Sequence, residues 1–220
     1  MHTSTEENYL KAIYHLASKR ELPVNTSAIA ESMLTTSASV TDMLKRLSEK
    51  ELINYEKYRG VKITLKGEKV ALNIIRKHRL WEVFLTQVLK FDWDEVHSMA
   101  EELEHVSSDE LIFRLDSFLG HPKFDPHGDP IPDHLGVVEN QIQHKLLEGQ
   151  IGQEYIMLGV SDHTPSYLKH LGKYGLKPGT TLRITEIHDY DKSMEIQLGN
   201  LEKINLSKEV SKHILVNIYG

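Results

Sequence analysis

Histidine and carboxylate residues in the middle of this chain are spaced as ligands of a metal ion. His97, Glu101, Glu104 and His105 stand at i, i+4, i+7 and i+8. At ~100° per residue these positions fall within an arc of roughly 100°, a single face of one helix. His78 and Glu82, again i and i+4, share a face of the helical segment before it. Three carboxylates and three imidazoles facing one another across two helices repel, or go unsatisfied, without a cation. The plainer alternative is a solvated polar face, but six such residues on two adjacent helices favour the metal. Carboxylate oxygen and imidazole nitrogen, with no sulfur beyond a methionine, suit Mn2+ or Fe2+; Zn2+ and Co2+ would also bind in vitro.

A hydrolytic use of the same face is the second reading. Glu101-Glu102-Leu103-Glu104-His105 comes one residue short of the His-x-x-Glu-His of inverted zinc proteases, with Glu101 in the first His position. His-Glu-x-x-His does not occur, and no general base is evident beyond the ligands themselves.

These residues sit in a compositionally distinct segment. Of 220 residues none is cysteine, which excludes a disulfide framework, an iron–sulfur cluster and a thiol nucleophile. The net charge is −6. Residues 76–150 carry 7 Lys+Arg against 15 Asp+Glu, whereas residues 1–75 carry 11 against 9 and residues 151–220 carry 8 against 8. Seven of the 13 histidines also lie in the acidic third. Three parts are expected: 1–72, 73–145 and 146–220. No run reaches the ~18 apolar residues of a membrane span, and Met1-His2-Thr3-Ser4-Thr5 lacks the build of a signal peptide. A cytoplasmic protein with no membrane partner is the expectation.

Apolar periodicity supplies the elements. Tyr9, Leu10, Ile13 and Leu16 predict a helix over 5–18. Asn25-Thr26-Ser27 caps a second helix through Met33, and Ser37 caps a third that runs to about Glu49. Ile53, Tyr55, Val61, Ile63 and Leu65 flank Arg59-Gly60 as a hairpin. Helices follow over about 67–89, 94–105 and 108–119, and the Pro- and Gly-rich 120–136 is a loop. Beyond 150, the runs Tyr155–Val160, Leu182–Ile187, Met194–Leu198 and Ile214–Ile218 predict a small β unit with one helix at Pro165–Gly172. The fold class is mainly α with a β C-terminal part.

Helix, helix, tight turn, helix and hairpin is the order of a winged helix-turn-helix. The turn Leu34-Thr35-Thr36 leads into Ser37-Ala38-Ser39-Val40-Thr41-Asp42, whose small side chains suit a helix tip in the major groove of double-stranded DNA. Lys45 and Arg46 one turn later, and Tyr58, Arg59 and Lys62 on the wing, would reach phosphates. Thr26, Ser27 and Thr36 complete the candidate contacts. So few cations bind DNA weakly as a monomer, which implies a homodimer. Leu111, Ile112, Leu115, Phe118 and Leu119 would supply its interface or the intrachain core.

Arg76-Lys77-His78-Arg79-Leu80-Trp81-Glu82, Val96-His97 and Glu104-His105-Val106-Ser107-Ser108-Asp109-Glu110 resemble the diphtheria-toxin-repressor family of metal-dependent transcriptional regulators. So do Glu7-Asn8-Tyr9-Leu10-Lys11-Ala12-Ile13-Tyr14 and Pro126-His127-Gly128-Asp129-Pro130. Residues 146–220 resemble the SH3-like domain of longer members, on signals such as Leu176-Lys177-Pro178-Gly179. The resemblance implies a primary site of Glu101, Glu104, His105, Asp125 and a first-helix ligand. It implies a secondary site of His78, Glu82 and His97 with His127, or with Asp162 or His163. Glu101 replaces the cysteine of iron-type members and so points to manganese, with iron as the alternative. Asn8 stands where familiar members carry Asp or Met, with Glu7 its neighbour and rival. Lys11 holds the place of a second acidic residue found in some two-domain manganese regulators. A metal-activated repressor of metal-uptake genes, binding a palindromic operator as a dimer, follows from the resemblance. It leaves no role for a small organic substrate; a winged-helix regulator sensing an organic ligand, or an accessory protein built on the β unit, are the remaining rivals.

Overall fold

The computed structural model describes residues 2–18, 23–56, 59–106, 108–139, 141–199 and 202–219. They form two compact units: Met1–His78 with Leu103–Ser107 and Pro132–Val138, and Arg79–Glu102 with Ser108–Ile131 and Glu139–Gly220.

The first unit is built on α1 (Ser4–Ser18), α2 (Thr26–Ser32), α3 (Ser37–Glu49) and the hairpin β1 (Ile53–Glu56) with β2 (Gly60–Ile63). Polar caps set where the helices begin. Asn25 Oδ1 accepts from the Ala28 amide at 2.7 Å, and Thr36 Oγ1 from that of Ser39 at 3.3 Å. Leu34, in the turn between them, takes φ 48° and is 95% exposed. Leu10, Ile13, Ile29, Val40, Leu44, Leu47 and Leu52 are fully buried together, each worth roughly 1.5–3 kcal/mol of transfer free energy. Val24 pairs with Val61 and widens the hairpin beyond its two strands.

Helix α4 (Leu65–Gln87) supplies Leu65 to His78 to the first unit and Arg79 to Gln87 to the second. In the second unit α5 (Val96–Leu103) and α6 (Asp109–Phe118) follow, and Ser108 caps α6 through the Leu111 amide. A core of Leu80, Val83, Ile112, Leu115 and Ile131 forms between α4, α6 and the loop.

One sheet dominates the rest: β3 (His144–Lys145), β4 (Glu154–Val160), β5 (Thr181–Ile187), β6 (Met194–Leu198), β7 (Glu202–Leu206) and β8 (Ile214–Ile218). Its order is β3-β8-β4-β5-β6-β7, antiparallel throughout, with register shifts at Met157/Gly159 and Ile184/Glu186. Helix α7 (Pro165–Gly172) and the one-turn α8 (Lys208–Ser211) pack with it around Met157, Leu168, Leu171, Ile184, Ile196 and Val216. No helix among the described residues is long and apolar enough to cross a membrane.

Two expectations are corrected. The helix over 94–105 stops at Leu103, where the Val106 amide closes a tighter turn on the Leu103 carbonyl. Glu104 and His105 therefore lie in the turn that follows α5. The apolar set on α6 also divides. Ile112 and Leu115 are core, Leu119 packs against it, and Leu111 and Phe118 are exposed, joined by Phe113. Strand β7 escaped notice because its five residues contribute only Ile204 and Leu206 as apolar signal.

Candidate metal centre

In the first unit, α1, α4 and the turn after α5 bring five titratable side chains together. Lys11 Nζ donates to Glu104 Oε2 at 2.6 Å, and His78 Nδ1 lies 2.6 Å from the same oxygen. On the other side of that carboxylate, His105 Nε2 stands 3.7 Å from Glu104 Oε1. His105 Nδ1 is 2.7 Å from Glu7 Oε2. An ionised carboxylate only accepts, so Nδ1 carries the proton and Nε2 is the basic nitrogen. Asn8 Oδ1 is buried without a hydrogen-bond partner. Burial of Glu104 works against its charge, but the His78 hydrogen bond and the Lys11 ammonium outweigh it and hold the pKa below its ordinary value.

In the second unit, α4, α5 and the loop over 120–136 build a more acidic cluster. Asp125 Oδ1 accepts from the His127 and Asp129 amides at 2.8 and 3.0 Å, while Oδ2 lies 3.6 Å from Arg79 Nε. Arg79 also reaches Asp129 Oδ2 at 3.3 Å and donates to the Pro130 carbonyl. His127 Nε2 is 2.7 Å from the Trp93 carbonyl, which can only accept. Its Nδ1 therefore turns to Glu82 Oε2 at 3.6 Å and Asp125 Oδ1 at 4.0 Å. Glu82, Asp125 and His127, all buried, offer ligand atoms within 4.8 Å of one another. Burial pushes the Asp125 pKa up to about 7, with Glu82 and Asp129 adding to it and His127 and Arg79 opposing. Burial also disfavours a charged His127, yet Glu82 and Asp125 raise its pKa to about 9.

The loop holding Asp125 and His127 is shaped by close backbone approach. Gly128 takes φ +90°, and a Cβ there would lie 2.1 Å from the Leu158 carbonyl of β4. A Cβ on Gly159 would meet the His127 carbonyl at 2.5 Å. Only glycine fits at either position.

Of the other candidates, His97 Nδ1 lies 3.2 Å from Glu82 Oε1 and its Nε2 3.6 Å from Glu101 Oε1. His97 and Glu101 are about half exposed. His163 joins this cluster: its ring meets His127 edge to face at 5.3 Å, and Nε2 is 3.7 Å from Asp129 Oδ2 with no hydrogen bond. Asp162 instead accepts from the Thr164 amide at 2.9 Å, at the start of α7. Sequence reasoning missed Arg79, Trp93 and Asp129 as members. The available signal was an arginine at i−3 to Glu82 and two aspartates four apart. The Glu82–Asp125–His127 group fits a divalent ion in donor chemistry, with oxygen and imidazole nitrogen only, all buried and oriented by neighbours.

The first unit also carries the surface expected to read DNA. Ser37, Ala38, Ser39, Asp42, Lys45 and Arg46 are exposed along α3. Thr36 is exposed at its cap, and Thr41, half-buried, donates to the Ser37 carbonyl at 2.8 Å. Lys45 pairs with Asp42 at 3.4 Å and Arg59 with Glu56 at 3.1 Å, contacts of exposed side chains. Lys62 and Ser27 are exposed and Thr26 is half-buried. Tyr58 lies outside the described residues.

Comparison with known proteins assigns each stretch. Residues 1–61 match the iron dependent repressor N-terminal DNA binding domain, 64–133 its metal binding and dimerisation domain, and 144–218 the FeoA domain. The diphtheria toxin repressor of Corynebacterium jeikeium is 36% identical over 128 residues, 58% of this chain and 53% of that protein. The chain thus spans about half the length of the curated relatives it matches. A manganese-dependent transcriptional repressor in complex with manganese is similar over 97% of this chain and 100% of its own, at 30% identity and TM-score 0.84. The manganese regulator SloR is similar over 97% and 98%, at 33% identity and TM-score 0.72. The chain belongs to the iron-dependent, diphtheria-toxin-repressor-like family of metal-dependent transcriptional repressors.

Proposed function

We propose that this protein is a metal-activated repressor that binds a palindromic operator as a homodimer when Mn2+, or alternatively Fe2+, is bound. The observation that carries the reading is the buried Glu82–Asp125–His127 group, an oxygen- and nitrogen-only donor set in a chain with an exposed recognition helix. Glu104, His105 and Asn8 in the first unit and Glu101 in the second are the further ligands we propose, with His78 beside Glu104 and with His97 and His163 beside the second cluster. A bound divalent ion supplies positive charge that neutralises these carboxylates and links the elements bearing them. Glu7 orients His105 and the Trp93 carbonyl orients His127, so each ring presents its unprotonated nitrogen when the ion replaces a proton.

Manganese is favoured over iron because carboxylates stand at Glu101 and Asp125 and the chain has no cysteine. The likeness to manganese-dependent repressors supports the same choice. Leu111, Phe113 and Phe118, exposed on α6, are proposed to bury one another's surface in the dimer. We read 1–72 as DNA reader, 73–145 as metal and dimerisation part and 146–220 as SH3-like part, acting in the cytoplasm. Membership of a repressor family leaves the hydrolase reading without support.

The test is operator binding titrated with Mn2+, Fe2+, Zn2+ and Co2+ side by side. Mn2+ tightens binding and EDTA abolishes it; equal affinity with and without metal would sink the model. Replacing Arg59 and Lys62 by alanine weakens binding at all sequences and lowers the log–log salt slope by about 1 for each. A change confined to one operator position would reassign both residues to base reading.

A further inference from the structure

Trp93 lies in the turn between α4 and α5 and meets His127 in two ways. Its carbonyl is 2.7 Å from His127 Nε2, and its indole is stacked on the imidazole, with ring centroids 5.9 Å apart and planes 19° from parallel. The hydrogen bond selects the nitrogen that faces the carboxylates, and the stack limits how far the ring can turn. Rotation of an imidazole about its bond to Cβ is otherwise soft and two-fold, and a half-turn would aim a ring carbon at Glu82 and Asp125 in place of Nδ1. His163 meets His127 edge to face, so the parallel plane on this ring is that of Trp93. The indole also packs against the core of the C-terminal sheet, and a Cβ on Gly172, at the end of α7, would stand 3.9 Å from its Nε1. The next residue is fastened to the same helix: Asp94 Oδ2 lies 3.6 Å from Lys169 Nζ. All these groups belong to the second unit. The sheet and α7 place the indole, and the indole places the imidazole.

We propose that the Trp93 indole is a positioning group for His127: seated on the C-terminal core, it holds the imidazole at the rotation that aims Nδ1 at Glu82 and Asp125, and so sets how tightly this site binds a divalent ion. The proposal rests on the reading that Glu82, Asp125 and His127 hold metal. It makes the affinity of the site depend on an aromatic plane that ligates nothing, because a ligand held in its binding orientation loses less freedom when the ion arrives.

The experiment is Mn2+ binding to the full-length protein by calorimetry, with urea unfolding in EDTA to confirm that each variant folds. His127→Ala first tests the underlying reading: it should lose one ion per chain, and an unchanged count removes metal from His127 and overturns the proposal with it. If that ion is lost, Trp93→Leu, which keeps an apolar side chain against the core and removes the aromatic plane, should weaken the His127-dependent site roughly tenfold or more. Trp93→Met should do the same, so the test does not hang on one variant folding. Trp93→Phe, whose ring can still stack, should bind nearly as the wild type does. Trp93→Leu combined with His127→Ala should lose no more than His127→Ala alone, since the indole acts only through that ring. Leu and Met variants that bind this ion as tightly as the wild type, a Phe variant as weak as they are, or a further loss in the double variant overturns the role of Trp93 while leaving metal binding by His127 intact.

Discussion

The two clusters solve the same electrostatic problem in opposite ways. In the first unit, each of the two buried carboxylates among the described residues is met by a lysine: Glu104 by Lys11 at 2.6 Å, and Glu6 by Lys50 at 2.6 Å. Both carboxyls have pKa values below the ordinary one. In the second unit, Glu82, Asp125 and Asp129 outnumber the Arg79 guanidinium, and Asp125 is pushed up to about 7. A matched pair stores its compensation in the chain. An unmatched group leaves that compensation to a proton or to an ion from solution, and so can report on the ion's concentration.

The sharpest way to break this contrast is Arg79→Ala. Losing the one guanidinium from an acid-rich, buried site should lower metal-free stability by about 3–5 kcal/mol, read from urea unfolding in EDTA. Saturating Mn2+ should restore much of that loss. Equal stability of variant and wild type without metal would mean the second cluster is not short of positive charge.

Next in size is the response of the wild type to metal. At a hundredfold excess over Kd, an ion held only by the folded state adds about 2.7 kcal/mol per site. Glu82→Gln should remove most of the gain contributed by the second cluster. If Glu104→Gln alone removed it all, the ion-responsive cluster would be the first one.

The smallest effect concerns acid. The Glu6 carboxyl is buried, which opposes its charge, but hydrogen bonds from Lys50 and the Thr3 amide hold its pKa below the usual value. A depressed folded-state pKa gives stability that is present above the unfolded pKa and lost as pH falls through the folded one. Glu6→Gln should therefore cost about 1 kcal/mol near neutrality and flatten the acid limb of stability below about pH 5. An acid limb as steep as wild type would place the titrating group elsewhere.

Much of this was legible from sequence because strong local signals point the same way. The cap at Asn25 and the apolar stripe of Tyr9, Leu10 and Ile13 set their helices directly, whereas α3 is capped by Thr36, one residue before the Ser37 that the sequence suggests. The ligand types were legible too, since histidines and acids cluster in one third of the chain. Their grouping was less so. Spacing assumes the helix continues, and α5 ends at Leu103, one residue before Glu104. Lys11 and Arg79 were visible as charges, but which carboxylate each would neutralise depends on tertiary packing. Asp129 and His163 lie far apart in sequence and meet only after the loop docks on β4.

That docking makes the C-terminal sheet more than an appended module. Gly128 and Gly159 face each other across the seam between loop and strand, and each has room only for hydrogen. The Val160 amide donates to the His127 carbonyl at 3.0 Å along the same seam. Strand β4 is thus the mould in which the Asp125–His127 loop is cast. A chain trimmed before β4 would keep both acids and the imidazole yet hold them in a looser outline. Its selectivity among similarly charged ions of different radius would fade before its ability to bind them.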